Sequence, residues 1–374
     1  MTIDVDRLLP SEEPVMLLDP DGSPTAAGKT SLPAADDLLS GFAGLVVARR
    51  FNDQASALVR QGRLAVYPSS HGQEACQVAA AQVLSAEDWL FPTYRDTAAA
   101  VARGVDPVEV LGLLKGDWHS GFDPYEHRVG PLTTPLATQL PHAVGVAHAA
   151  RLRGESTVVL ALCGDGGTSE GDFHEALNFA AVFHAPVVFL VQNNKYAISV
   201  PLSRQSVAPS LAHKGVGYGI PGEQVDGNDL AALLAVLSGA VARARAGEGP
   251  QLVEAHTYRM QAHTNADDAT RYRADEEVAQ WAAKDPLVRL ETYLRAEGIL
   301  DDARAAGFAE AAEQLAQHTR DGMNRDVEPN PDDLFRYVYS EPTPQLVEQL
   351  AMVHDELSRD ETSSDDPSRE GAHR

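Results

Sequence analysis

Two unbroken apolar segments, residues 157–163 (Thr-Val-Val-Leu-Ala-Leu-Cys) and 187–191 (Val-Val-Phe-Leu-Val), read as strands buried on both faces. Between them Phe173, Ala176, Leu177, Ala180 and Phe183 recur at threes and fours over 170–183, the stripe of one helix face. Strand, helix and strand joined by a short link require a right-handed crossover, so the strands run parallel and their carboxyl ends share one edge. A further buried strand is predicted at 251–255, and 88–92 is a short apolar segment ending in a turn. An Ala-rich helix opens at 133–139 and runs to Ala150, with Thr as cap and Pro135 just inside it. Helices follow at 275–294 and 302–321, Pro286 starting a new one.

The fold class is therefore α/β, a largely parallel sheet flanked by helices on both faces. The alternation continues without a linker, so residues 35–340 form one large domain. Residues 1–34, rich in Pro and Asp, are an arm on the surface or on a partner, and 341–357 a C-terminal helix. The acidic tail 358–374 has almost nothing apolar to bury and is expected to be disordered. No internal repeat is evident.

Gly164-Asp165-Gly166 closes the first strand and Asn193-Asn194 the second, so Asp165 and Asn194 converge on one sheet edge. A Gly-Asp-Gly alone is most often an ordinary turn. Paired at this spacing, it supplies a carboxylate and an amide oxygen, which with a main-chain carbonyl suit Mg²⁺, an ion that takes a few hard protein oxygens and leaves the rest to phosphate and water. Gly166 and Gly167 let the backbone approach a phosphate, and the N–H groups opening the next helix favour its charge. His263 falls just past the strand at 251–255, on the same edge, where an imidazole can hold charge near neutrality. The polar run 264–273 is too long for a tight turn and is expected to be a lid, with Arg271 and Arg273 available to close it.

The chain carries 30 Lys plus Arg against 54 Asp plus Glu, a net charge of −24, which argues against a nucleic-acid partner. Cys76 and Cys163 are the only cysteines, excluding a disulfide framework or a cysteine metal cluster. No apolar run is long enough to span a bilayer and the start is acidic, so a cytoplasmic location is expected.

The pair Gly164-Asp165-Gly166 and Asn193-Asn194 resembles the thiamine diphosphate fingerprint. The stretches Gly-Asp-Gly-Gly-Thr-Ser-Glu-Gly-Asp-Phe-His-Glu-Ala-Leu-Asn-Phe-Ala-Ala and Gln-Asn-Asn-Lys-Tyr-Ala-Ile-Ser resemble the alpha subunit of 2-oxo acid dehydrogenases, the decarboxylating first components of the pyruvate and branched-chain complexes. The resemblance covers about 38–339. It implies a thiamine diphosphate-binding fold and oxidative decarboxylation of a 2-oxo acid, the acyl group passing to the lipoyl domain of the second component. Asp165, Asn194 and the carbonyl of Tyr196 would hold Mg²⁺. Tyr94, Arg95, Gly164, Gly166 and Gly167 would bind the diphosphate end, and main-chain groups at Thr134 and Leu136 the aminopyrimidine ring. His263 would contact diphosphate and act catalytically, with His119 assisting substrate or lipoyl acceptor. Thr133, Thr138 and Gln139 match a structural monovalent-cation site. Gln192 departs from an arginine of some relatives, making one phosphate contact neutral. Single-chain relatives take a catalytic glutamate from a second domain for which 374 residues leave no room. The resemblance therefore implies a separate beta chain and an α₂β₂ heterotetramer. Pyruvate is slightly favoured as substrate, with a branched-chain 2-oxo acid (2-oxoisovalerate) or acetoin as alternatives. A non-catalytic assembly subunit is the rival outside enzymes, against which the retained Asp165, Asn194, Arg95 and His263 argue.

Overall fold

The computed structural model describes residues 5–116, 121–325 and 330–364. The strands among them are β1 (Trp89–Phe91), β2 (Val159–Gly164), β3 (Val187–Asn193), β4 (Tyr196–Ala197), β5 (Val200–Pro201), β6 (Gly222–Asp226) and β7 (Gln251–His256). Five build one parallel sheet in the order β1-β2-β3-β7-β6, and β4 and β5 form a small antiparallel hairpin just after β3. Side chains alternate across the sheet. Leu160, Leu162, Val188, Leu190 and Val253 enter a core with the helix Ala35–Arg60, while Val159, Ala161, Cys163, Val187 and Phe189 enter a second core with the helices Gln139–Arg153 and Gly171–Phe183. The parallel α/β class read from the apolar runs is thus what the chain adopts. Cys76 and Cys163 are buried and unpaired, one in each core, and burial pushes both thiols up.

The register of β2 on β3 sets Gly164 opposite Gln192, which aligns the loops that follow the two strands. The break between the helices Asp275–Ala282 and Pro286–Ala296 falls at Pro286, where the Asp285 carboxylate accepts the N–H of Leu287 at 2.9 Å. The helix predicted to open within 133–139 starts only at Gln139. Thr138 makes no side-chain cap bond, and Ala137 adopts the left-handed region at φ 64°, so 133–138 turns across the sheet edge instead of beginning the helix.

The N-terminal segment does not simply lie on the surface. Val15 bridges the edge strand β6, with its N–H donating to the Gln224 carbonyl at 2.8 Å and its own carbonyl accepting from Asp226 at 3.0 Å. Leu17 and Leu18 enter the core, and their N–H groups donate to one Asp229 oxygen at 2.7 and 2.8 Å. An open parallel sheet leaves an unpaired edge, and this segment covers it. The chain separates into two units, Met1–Asn324 and Arg325–Arg374, rather than dividing near 340. The second holds the short helix Asp333–Arg336 and the helix Pro344–Ser364, which continues beyond the predicted end at 357. An i,i+4 ion pair of Arg359 with Asp355 supports that extension.

Leu18 is 1 % exposed. Leu18→Ala is expected to lower the unfolding free energy by about 2–5 kcal/mol, measured by urea denaturation; a change below about 0.5 kcal/mol would mean the segment is a surface arm after all.

Candidate active site

β2 and β3 deliver two polar side chains into one cavity at their carboxyl ends. Asp165 is 1 % exposed; its Oδ1 accepts the main-chain N–H of Asn194 at 3.3 Å and its Oδ2 accepts Gln205 Nε2 at 2.8 Å. Burial pushes its carboxyl above the usual carboxylate range, with the Gln205 bond opposing it. Asn194 donates its Nδ2 to Gln73 Oε1 at 3.0 Å, which turns its Oδ1 toward the site. There Oδ1 accepts the Tyr196 N–H at 3.3 Å and lies 3.0 Å from the Tyr196 carbonyl oxygen and 3.2 Å from Asp165 Oδ1; with the amide turned over, its nitrogen would donate to both of those oxygens. Acceptor oxygens crowded together repel one another unless a donor or a cation sits among them. A carboxylate, an amide oxygen and a main-chain carbonyl are a hard, partial donor set of the kind Mg²⁺ takes. Among the described residues no three His, Cys, Asp or Glu side chains cluster for a metal, so a softer transition-metal centre has no counterpart there.

Gly166 and Gly167 follow Asp165, but contacts within the chain already require both. A Cβ on Gly166 would meet Ala197 Cβ at 2.8 Å, and one on Gly167 would meet Cys163 Sγ at 2.6 Å. The turn they begin is the 3-10 segment Gly166–Ser169; the long helix starts only at Gly171. Lys214 Nζ secures this turn by donating to the Thr168 carbonyl at 2.7 Å.

The opposite wall is cationic. Arg95 is buried, its guanidinium donating to the Ser69 carbonyl at 2.9 Å and lying 3.1 Å from His263 Nδ1 and 5.6 Å from the centre of the Tyr94 ring. Arg259 approaches from the other side, 3.5 Å from the same Nδ1, and donates to the Tyr196 carbonyl at 3.2 Å and to the Ile198 carbonyl at 2.7 Å. Its Nε is buried without a hydrogen-bond partner among the described residues. An unpartnered guanidinium N–H beside a second arginine fits an anion. Burial, then Arg95, then Arg259 lower His263 to about 4, so it is neutral near pH 7 rather than charged as expected. Since guanidinium donors face Nδ1, the proton of the neutral ring belongs on Nε2.

Tyr94, Arg95, Leu136, Gly164, Asp165, Gly166, Gly167, Asn194, Tyr196 and His263 all line this cavity. Thr134 does not, although Thr133 and Pro135 beside it do. His119 lies outside the described residues. Gln139 donates Nε2 to the Leu162 carbonyl at 2.7 Å, so only its oxygen is left for a cation. Gln192 is turned to Asp96 and Gln73, at 2.7 and 3.2 Å, both of its amide atoms being used within the protein. In the segment 264–273, Arg273 donates to the carbonyls of Arg259 and Met260, and Tyr272 bonds Asp267 and Arg259. Arg273 thus fastens the loop to the chain before it instead of reaching over the cavity. Sequence reasoning did not assign Gln73, Gln205 or Arg259 to the site. Among the described residues, three of the five non-glycine residues with positive φ, Ala137, Lys195 and Ile198, stand in or beside it. At Ile198, β-branched with φ 54°, such a backbone is strained, and strain of this kind gathers where a site over-determines the chain.

Residues 43–331 match the model of a family described as dehydrogenase E1 component. The chain is 46% identical over 348 residues to the 3-methyl-2-oxobutanoate dehydrogenase subunit alpha of Mycobacterium tuberculosis, covering 93% of this chain and 95% of that one. It is 35% identical over 350 residues to the pyruvate dehydrogenase E1 component subunit alpha of Staphylococcus epidermidis and equally to that of Staphylococcus aureus, covering 93% of this chain and 94% of each.

His263, lowered in the folded state, binds a proton less tightly there than in the unfolded chain. The stability it contributes is present above its ordinary value of 6.5 and is lost as pH falls toward about 4. NMR titration of the ligand-free protein is expected to place the His263 midpoint near 4; a midpoint near the unperturbed 6.5 would mean that the ring is neither buried nor faced by Arg95 and Arg259.

Proposed function

This chain belongs to the dehydrogenase E1 component family as an alpha subunit of a 2-oxo acid dehydrogenase, and we propose that it decarboxylates a branched-chain 2-oxo acid with thiamine diphosphate and Mg²⁺ in the cavity at the ends of β2 and β3. The observation that carries the reading is the crowding of the Asn194 amide oxygen against the Tyr196 carbonyl and an Asp165 oxygen, at 3.0 and 3.2 Å, facing a wall of two arginines. The oxygens hold Mg²⁺, while Arg95 and Arg259 hold the diphosphate. Tyr94, Gly164, Gly166 and Gly167 shape that end of the cavity, and main-chain groups near Thr134 and Leu136 the pyrimidine end. A monovalent cation at Thr133, Thr138 and the Gln139 oxygen steadies the intervening turn.

When bound, thiamine diphosphate supplies a nucleophilic thiazolium carbon that adds to the 2-oxo group and takes up the electrons released with carbon dioxide. The protein positions the reacting groups and manages protons. His263, neutral and carrying its proton on Nε2, donates a hydrogen bond to the reacting oxygen and assists passage of the acyl group to a lipoyl acceptor. A buried diphosphate would offset the two guanidinium charges and raise the imidazole toward its ordinary value, so the ring gains a proton more readily in the loaded enzyme.

A beta chain completes the site, in an α₂β₂ assembly, by bringing a carboxylic acid to the pyrimidine ring. Support comes from an exposed apolar face on the helices Gln139–Arg153 and Gly171–Phe183. There Phe179, Val182 and Leu152 are exposed and Phe183 stacks on His148 with ring centres 4.5 Å apart. Contiguous exposed apolar side chains of this kind mark protein interfaces. Among the described residues no helix is long and apolar enough to cross a membrane.

Pyruvate, slightly favoured from sequence, yields to a branched-chain substrate because identity is higher to the relative named for 3-methyl-2-oxobutanoate, 46% against 35%. With the beta chain and a lipoyl domain present, kcat/KM is expected to be at least about 10-fold higher for 3-methyl-2-oxobutanoate than for pyruvate; the reverse order would assign pyruvate. Calorimetry of the assembled enzyme is expected to show that Asp165→Ala abolishes Mg²⁺-dependent thiamine diphosphate binding while the fold is retained. Unchanged affinity in that variant would remove Asp165 from the metal site.

A further inference from the structure

Four buried side chains form a continuous line of hydrogen bonds that ends at the crowded oxygens. The Asp96 carboxylate accepts from four donors: Gln192 Nε2 at 2.7 Å, Gln77 Nε2 at 3.0 Å, the Thr93 N–H at 2.8 Å and the Thr93 hydroxyl at 2.6 Å. Gln77 is itself fixed, because the same Nε2 donates to the Arg95 main-chain carbonyl at 3.2 Å. With its nitrogen committed to Asp96, Gln192 turns Oε1 to Gln73 Nε2 at 3.2 Å. Gln73 then presents Oε1 to Asn194 Nδ2 at 3.0 Å, and Asn194 is left with its oxygen toward Asp165 and Tyr196.

The direction of this line matters because a carboxamide has a donor end and an acceptor end of nearly equal shape. Turned over, Asn194 could donate Nδ2 to the Tyr196 carbonyl and to Asp165 Oδ1. That arrangement would satisfy the site without a cation. It would also set the Asn194 oxygen against Gln73 Oε1 unless Gln73 turned, and then Gln192. The reversal would finish with Gln192 Oε1 in the position 2.7 Å from an Asp96 oxygen. Burial pushes the Asp96 carboxyl above the usual carboxylate range while its bonds from Gln192 and Thr93 oppose this; ionised, with four donors around it, it only accepts hydrogen bonds and so sets the polarity of all three amides.

We propose that Asp96, acting through Gln192 and Gln73, holds the Asn194 amide with its oxygen toward the divalent-cation site, making Gln192 and Gln73 positioning residues for the metal. The inference rests on the metal reading of Asp165 and Asn194 given above. It assigns Gln192 to the metal side of the site rather than to a neutral phosphate contact. All four residues are buried, so water does not readily substitute for a lost link. Groups that orient a metal ligand are typically worth about 10–100-fold in metal affinity.

The test measures Mn²⁺ affinity by electron paramagnetic resonance in the assembled enzyme with thiamine diphosphate, a readout independent of turnover. Gln192→Met breaks the line while keeping much of the side-chain volume, and is expected to weaken Mn²⁺ binding by about 10–100-fold. Asn194→Asp offers an oxygen in either orientation. In that background Gln192→Met is expected to cause no further weakening, because no amide is left to orient at the metal. Gln73→Met repeats the comparison should Gln192→Met not fold. Equal weakening in both backgrounds would show a general packing effect and overturn the inference, as would no weakening in the Asn194 enzyme. Mn²⁺ binding that survives Asp165→Ala would overturn the metal reading and the inference with it. Binding that Asp165→Ala abolishes but the line substitutions leave unchanged would overturn the inference alone.

Discussion

The crowding of the Asn194 amide oxygen against the Tyr196 carbonyl and an Asp165 oxygen, 3.0 and 3.2 Å away, is the interaction on which the rest of the site depends. Each of these oxygens accepts one hydrogen bond from the protein, from the Asn194 N–H, the Tyr196 N–H and Arg259, which leaves further lone pairs facing one another for a cation to satisfy. The parallel pairing of β2 and β3 brings the two strand ends together, and the hairpin of β4 and β5 returns the chain so that the Tyr196 carbonyl completes the set. Arg259 joins this half of the cavity to the other by donating to the same carbonyl while facing His263. The oxygens on one side and the guanidinium groups on the other are therefore one electrostatic unit.

Much of the frame was legible in the sequence because its signals are local. The runs at 158–163 and 187–191 are apolar at every position, and only strands covered on both sides require that; their order with the intervening helix places Asp165 and Asn194 at one edge. The beginning of the helix at Gln139 was misread because a Thr-Thr-Pro segment has the composition of a helix cap, and only the left-handed backbone at Ala137 shows it serving as a turn. The edge-covering role of Val15, Leu17 and Leu18 was hidden for another reason. Their partners, Gln224 and Asp229, are more than 200 residues away, and Pro and Asp nearby gave the segment the look of a solvated arm.

The site itself was legible only where residues carry a motif. Gln73 meets Gln192 across 119 positions, and a glutamine just before the helix Glu74–Gln82 announces nothing by its spacing. Gln205 lies 40 positions from the Asp165 oxygen that it supports. Arg259 sits four positions before His263 and was open to notice, but no pattern separates a pocket arginine from a surface one. The electrical state of His263 follows first from its burial and then from Arg95 and Arg259. A histidine on an active-site loop suggests a group charged near neutrality, whereas two guanidinium groups and burial make it a neutral hydrogen-bonding ring.

We propose that the crowded oxygens are a divalent-cation site. Anomalous diffraction from crystals of the assembled enzyme grown with Mn²⁺ and thiamine diphosphate tests it most directly. A peak is expected within about 2.0–2.4 Å of Asp165, the Asn194 side-chain oxygen and the Tyr196 carbonyl, with the diphosphate between that ion and the arginines. A peak elsewhere, or the Asn194 amide nitrogen donating to the other two oxygens with no ion present, would contradict it.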